Sequence, residues 1–234
     1  MNNNYVIRRI LDDAQVDEIK SILESESDDM WLDGLVSGGG SETNKKNFEF
    51  SRQNSSYQRV RNIVMSSLDS DLAFNNFTFA KTSSPIIISK YLEGGYYNVH
   101  HDSVYDYNFS TTVFLDDPNS YDGGELCLFI NGEERKFKLP AGCAITYETG
   151  IFHKVSKVTR GERKAVVFWS KSDVKDRFLL YVYSEIFEIH KGLIDLLREG
   201  NIDLQTDFED FQSVINNPLT RLSSVGNEIL RRMI

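Results

Sequence analysis

Two histidines and an aspartate stand side by side in the chain: His100, His101 and Asp102 fall within YLEGGYYNVHHDSVY. In an extended segment, side chains at i and i+2 point the same way. His100 and Asp102 can therefore reach one metal ion, while His101 faces the other side. A third ligand has to come from another strand, and His153 in TGIFHKVSKV is the remaining histidine of the strand-rich part. Two imidazoles and one carboxylate form a facial triad that leaves positions open on an octahedral iron(II). A structural zinc site would want a closed shell, usually with cysteines, and neither Cys127 nor Cys143 is close in sequence. By itself H-x-D is a short pattern, and a polar strand end explains it as well.

Ten residues after His153, in TRGERKAVVFW, stands Arg163. A guanidinium that faces into a β-core needs a carboxylate, because an unpaired buried charge is very costly. The adjacent Glu162 would point to the opposite face of a strand. A dicarboxylate held bidentately by Arg163 would supply the partner. Taken alone, Arg163 reads better as a surface strand charge among Arg160, Glu162 and Lys164.

These groups need strands to hold them, and the middle of the chain offers them. SPIIISKYL, NFSTTVFLDD, GGELCLFING, ERKFKLPAG, CAITYETG and RKAVVFWSK are short β-branched and aromatic runs punctuated by Gly, Asn, Asp and Pro. Short strands at near-regular spacing predict a barrel or jelly roll. From Tyr5 to Leu68 the pattern is helical with a polar interruption. Asp12 and Gln15 resemble a capping box before the stripe Val16, Ile19, Ile22, Leu23. Tyr57, Val60, Ile63, Val64 and Leu68 make a second stripe. Between them, Leu35–Asn47 has no periodicity and three consecutive glycines, the mark of a mobile loop. After Asp173 the helical period returns through Phe178, Val182, Ile186, Ile189, Leu193 and Leu196, with Gly200 as a stop. A last helix carries Leu222, Val225, Ile229 and Met233.

Composition limits the partners. The chain has 234 residues, 40% apolar and 26% charged, close to a globular average. Its net charge of −9 argues against nucleic acid or an anionic membrane as partner. No stretch approaches the ~20 apolar residues of a membrane span, and the start lacks the apolar region of a signal peptide. Two cysteines are too few for a disulfide framework. A reduced, cytoplasmic protein is expected.

Together the motifs resemble a known family. Tyr91-x-x-Gly94-x-x-Tyr97-x-x-His100-x-Asp102, Tyr121-Asp-Gly-Gly-Glu-Leu126, Leu139-Pro-Ala-Gly142 and His153-x9-Arg163-x5-Trp169 look like iron(II)/2-oxoglutarate dioxygenases of the prolyl-hydroxylase type. The bacterial PKHD-type hydroxylases are the nearest group, and the likeness covers roughly Trp31 to Asp173. It implies an α+β fold with a double-stranded β-helix (jelly-roll, cupin-like) core. Residues 1–173 would form the dioxygenase domain, with N-terminal helices over 1–80 and the core over 81–173. Residues 174–234 would be a helical extension packed on that core. His100, Asp102 and His153 would bind Fe(II), and Arg163 the distal carboxylate of 2-oxoglutarate, with Tyr91 as a hydroxyl partner. The implied reaction couples oxidative decarboxylation of 2-oxoglutarate, with O2, to hydroxylation of a C–H bond, with L-ascorbate as reductant. The implied substrate is a prolyl residue in a peptide or protein. A small-molecule oxygenase and a catalytically silent jelly-roll binding protein are the alternatives. Trp169 reads as a core-packing residue, Glu125 as a strand residue without chemistry, and Phe114 as a replacement for a Tyr that helps hold 2-oxoglutarate in some relatives. Loop Gly38–Asn47 and the aromatic run Ser103–Phe109 would flank substrate entry.

Overall fold

The computed structural model describes residues 4–37, 44–103, 106–174 and 218–233, together with scattered positions between 176 and 194. It divides into two units, Met1–Ser172 and Asp173–Ile234.

Two antiparallel sheets build the first unit. The larger contains β1 (Tyr5–Arg9), β2 (Trp31–Asp33), β4 (Phe48–Phe50), β5 (Ala80–Ser83), β6 (Ile87–Tyr91), β8 (Phe109–Phe114), β11 (Cys143–Glu148) and β13 (Arg163–Ser172). They run in the order β1-β11-β8-β13-β6-β4-β2, with β5 paired to β13. The smaller contains β3 (Lys45–Lys46), β7 (Tyr96–His100), β9 (Leu126–Ile130), β10 (Glu133–Phe137) and β12 (His153–Val155). Its order is β10-β9-β12-β7-β3. This is the expected jelly-roll core.

Alternation along β8 shows how the layers are held. Phe114 joins Leu126, Leu128, Ile130 and Ile145 in an apolar cluster that draws on both sheets. Its neighbours Val113 and Leu115 belong to a second cluster with α1 (Asp13–Glu24), α2 (Ser55–Ser70) and α3 (Leu72–Thr78). With both faces covered, every residue of β8 is buried, including Ser110 and Thr111, whose hydroxyls bond to Asp102 and Thr146. Helix α1 begins where the sequence places it, whereas α3 lies beyond the helical region read from the sequence. Asp12 and Gln15 close a reciprocal capping box, and Val16, Ile19, Ile22 and Leu23 are the buried residues of α1. Along α2 the second stripe is buried at Tyr57, Val60, Val64 and Leu68.

One expectation needs correction. The region from Tyr5 to Leu68 is not only helical, because four short strands interrupt it. Tyr5–Arg9 pairs along β11, with Tyr5 opposite Tyr147 and Arg9 opposite Cys143. A run with Tyr, Val and Ile beside an open sheet edge gains more from ladder pairing than from a lone helical turn. Residues 45–50 likewise cross from the smaller sheet, at β3, to the larger, at β4.

In the second unit, Phe178, Val182, Ile186, Ile189 and Leu193 occupy helical positions, and α4 spans Pro218–Met233. Leu196 and Gly200 lie outside the described residues. Among the described residues no helix is long and apolar enough to cross a membrane.

Candidate active site

The smaller sheet brings the two candidate histidine ligands together by register, since His153 on β12 lies directly opposite His100 on β7. Asp102 follows β7 by two residues. The donor atoms of His100, Asp102 and His153 all lie within 4.8 Å of one another. His153 Nε2 is 3.7 Å from Asp102 Oδ2, and His100 Nε2 is 4.0 Å from Oδ1.

Each of the three is held from behind. His100 Nδ1 is 2.8 Å from the Asn98 carbonyl, and His153 Nδ1 is 2.9 Å from that of Ile151. A carbonyl there requires Nδ1–H, which leaves the Nε2 lone pair facing the cluster. Burial and the neighbouring His153 push the His100 pKa down to about 4, so the imidazole is neutral and able to ligate. Asp102 Oδ2 accepts from Ser110 Oγ and from the Trp169 indole N–H, each at 2.7 Å. Ser110 and Trp169 are cross-strand neighbours on β8 and β13, so one point of the larger sheet fixes the carboxylate. Trp169 is thus only partly buried and polar in its role, where the sequence suggested plain packing. Its missing signal is the indole donor, which a buried tryptophan usually satisfies. His101 stays outside the cluster, packing edge-on against Phe152 at 5.4 Å.

A cavity of about 300 Å³ opens over the cluster. Tyr91 and Arg163 line it with His100, Asp102 and His153. Tyr91 and Arg163 are directly opposed on β6 and β13, so both turn to the same face. Arg163 is only 1% exposed. Its guanidinium carbon lies 5.2 Å from the Tyr91 ring centre and 5.4 Å from that of Phe114. Its Nε has no hydrogen-bond partner, and among the described residues no carboxylate pairs with it. Glu162 instead pairs with Lys164, as strand alternation requires. Gly124 makes room for the Arg163 stem. It has φ +66°, and a Cβ there would come within 3.1 Å of Arg163 Cδ. Burial pushes the Tyr91 phenol pKa upward, so it remains a hydroxyl donor.

Three cavity-lining groups have no role in the sequence reading, although Tyr97 stands in the family motif. Tyr97 stacks on His100 with ring centres 3.6 Å apart and planes 16° from parallel. Lys45 and Glu49 form a buried ion pair at 2.7 Å. Both lie at or just past the end of a segment without periodicity, where polar residues read as loop. Of the proposed entry segments, Gly38–Gly40 and Tyr105 lie outside the described residues.

Comparison with known proteins now has a site to refer to. The 2OG-Fe(II) oxygenase superfamily matches residues 86–171, the span that holds His100, Asp102, His153 and Arg163. A PKHD-type hydroxylase of Psychrobacter sp. strain PRwf-1 is 33% identical over 182 residues, 73% of this chain and 70% of the relative. The chain belongs to the PKHD-type hydroxylases. Another member, from Prochlorococcus marinus, is 31% identical over 228 residues, covering 94% of this chain and 99% of its own. The fold is shared with a Trichoplax adhaerens prolyl hydroxylase solved in complex with a hypoxia inducible factor peptide fragment, at TM-score 0.57 and 14% identity. That likeness covers 76% of this chain and 87% of the other. As 2OG-Fe(II) oxygenases, PKHD-type hydroxylases take Fe(II) and 2-oxoglutarate. The residues present fit both. Two imidazoles and a carboxylate suit Fe(II), and the buried Arg163 without an anion suits a carboxylate.

Proposed function

We propose that the chain hydroxylates a prolyl residue in a peptide or protein, with His100, Asp102 and His153 holding Fe(II) and Arg163 and Tyr91 binding 2-oxoglutarate. The observation that carries this reading is Arg163, a fully buried cation with no carboxylate paired to it among the described residues, lining the cavity of the His–Asp–His cluster. Bound Fe(II), with 2-oxoglutarate and O2, supplies the oxidising power for C–H hydroxylation while 2-oxoglutarate leaves as succinate and CO2.

The chain's own residues bind and orient. Arg163 would hold the distal carboxylate of 2-oxoglutarate, a role its planar fork of donors suits. The Tyr91 hydroxyl adds a donor to the same group. Ser110 and Trp169 keep the Asp102 carboxylate from rotating, which fixes the third ligand relative to the two histidines. A peptide substrate is supported by the prolyl-hydroxylase fold, which in the Trichoplax adhaerens protein is seen with a peptide. L-ascorbate as reductant, a cytoplasmic setting, and a dioxygenase domain over 1–173 with a helical extension over 174–234 belong to the same proposal.

The test is incubation of the protein with Fe(II), 2-oxoglutarate and proline-containing peptides, or a cell lysate. Mass spectrometry would look for products that gain one oxygen while succinate is measured in parallel. Peptides hydroxylated at proline, in step with succinate, are the expected result. Oxygen gained only by small molecules would replace the peptide reading with a small-molecule oxygenase.

A further inference from the structure

The site contains a feature that neither metal ligation nor co-substrate binding uses: the buried Lys45–Glu49 pair. Both side chains are under a tenth exposed, at 6% and 9%. Replacing a buried ion pair by apolar residues is often neutral or stabilising, so stability alone gives little reason to keep one. Its placement does. Lys45 Nζ donates to Glu49 Oε1 at 2.7 Å and to the Gly34 carbonyl at 2.8 Å. The same ammonium lies 5.1 Å from the Tyr97 ring centre, in cation–π range. Tyr97 in turn stacks on His100.

Tyr97 and His100 are three residues apart on β7, a spacing that in a regular strand puts side chains on opposite faces. A bulge removes that conflict. His153 opposes His100 but Val155 opposes Tyr97, so two steps on β12 face three on β7. The extra residue re-aims one side chain and brings both rings to the cavity. An imidazole rotates broadly about its terminal torsion. The Asn98 carbonyl fixes which nitrogen faces inward, and the Tyr97 ring fixes the plane.

Building on the reading of His100 as an iron ligand, we propose that Lys45, held by Glu49, is a positioning residue that acts through Tyr97 to fix His100 and so sets metal affinity. The crossing segment 45–50 would thus tie the junction of the two sheets to the metal centre.

The experiment titrates iron-free protein with Co(II) in a calorimeter. Lys45→Met alone would strand a buried Glu49 charge, so the variant is Lys45→Met/Glu49→Leu, which removes both charges. It should bind Co(II) ~10-fold more weakly, the lower end of the range for loss of an outer partner of a metal ligand. Tyr97→Leu should show a similar loss, and Tyr97→Phe, which keeps the ring, should bind as the parent does. Because Lys45 acts through Tyr97, adding Tyr97→Leu to the double variant should cost nothing further. Losses that multiply to ~100-fold, or a double variant with unchanged affinity, would overturn the proposal. Should the double variant not fold, equal affinities for Tyr97→Leu and Tyr97→Phe would overturn it instead. Failure of the parent protein to bind Co(II), or full binding by His100→Ala, would count against the metal site itself.

Discussion

The two ends of the cavity are built on opposite principles. At the His–Asp–His end, every ligand has its second polar atom engaged or its acceptor oxygen held, by Asn98, Ile151, Ser110 and Trp169. At the Arg163 end, a fully buried cation faces aromatic rings, and among the described residues neither its Nε nor the Tyr121 hydroxyl beside the guanidinium has a hydrogen bond of normal geometry. The first end is completed by the protein and presents lone pairs. The second is left incomplete by the protein and presents charge. An enzyme gains from that asymmetry. A finished outer shell keeps a metal site shaped before binding, while an unsatisfied cation converts its own desolvation cost into preference for one anion.

The contrast is sharpest if one ligand is removed. His100→Ala should abolish 2-oxoglutarate turnover, while His101→Ala should keep a measurable part of it, because His101 packs on Phe152 outside the cluster. Succinate release at saturating Fe(II) checks both. Reversed behaviour would mean that the strand parity assigned to β7 is wrong.

At the other end, Arg163→Ala should raise the 2-oxoglutarate requirement ~100-fold, the order expected for a buried charge-assisted pair. Arg163→Lys should recover only part, since a point charge cannot reproduce the fork. An unchanged requirement would mean that the cation serves the fold rather than a ligand.

A smaller effect separates ligand from support. Trp169→Phe keeps the ring but removes the indole N–H from Asp102, and should weaken Co(II) binding ~10-fold without raising the 2-oxoglutarate requirement to the Arg163→Ala level. If the 2-oxoglutarate requirement alone moved, Trp169 would belong to the other end of the cavity.

How much of this could be read beforehand follows from the range of each signal. His100 and Asp102 are visible because strand parity is local, and His153 because few histidines remain to choose from. The capping box and helix stripes are local too, and the structure places them as read. Arg163 could be called buried only by joining it to the family motifs. Tyr97 is hidden by the bulge in β7, which changes parity through a neighbour over fifty residues away. Ser110 and Trp169 meet only through the pairing of β8 with β13. Lys45 and Glu49 look like loop residues because a short strand that changes sheets has no period to display.

The smallest expected effect tests whether the Arg163 end is truly left open. The Tyr121 side chain is 1% exposed, and its hydroxyl lies beside the Arg163 guanidinium but has no hydrogen bond of normal geometry among the described residues. Lys138 covers the ring from outside at 4.2 Å and donates to the Tyr121 carbonyl, so the ring is held without help from its hydroxyl. If Arg163 is completed by a bound carboxylate alone, Tyr121→Phe removes only an unsatisfied polar atom. Loss of such a group is near neutral, in contrast to the cost of stranding a partner. The 2-oxoglutarate requirement should then stay within about threefold of the parent, under 1 kcal/mol, and thermal stability should hold or rise slightly. A requirement that climbed toward the Arg163→Ala value would show that the hydroxyl holds the guanidinium in place, and that both ends of the cavity are built by support from behind.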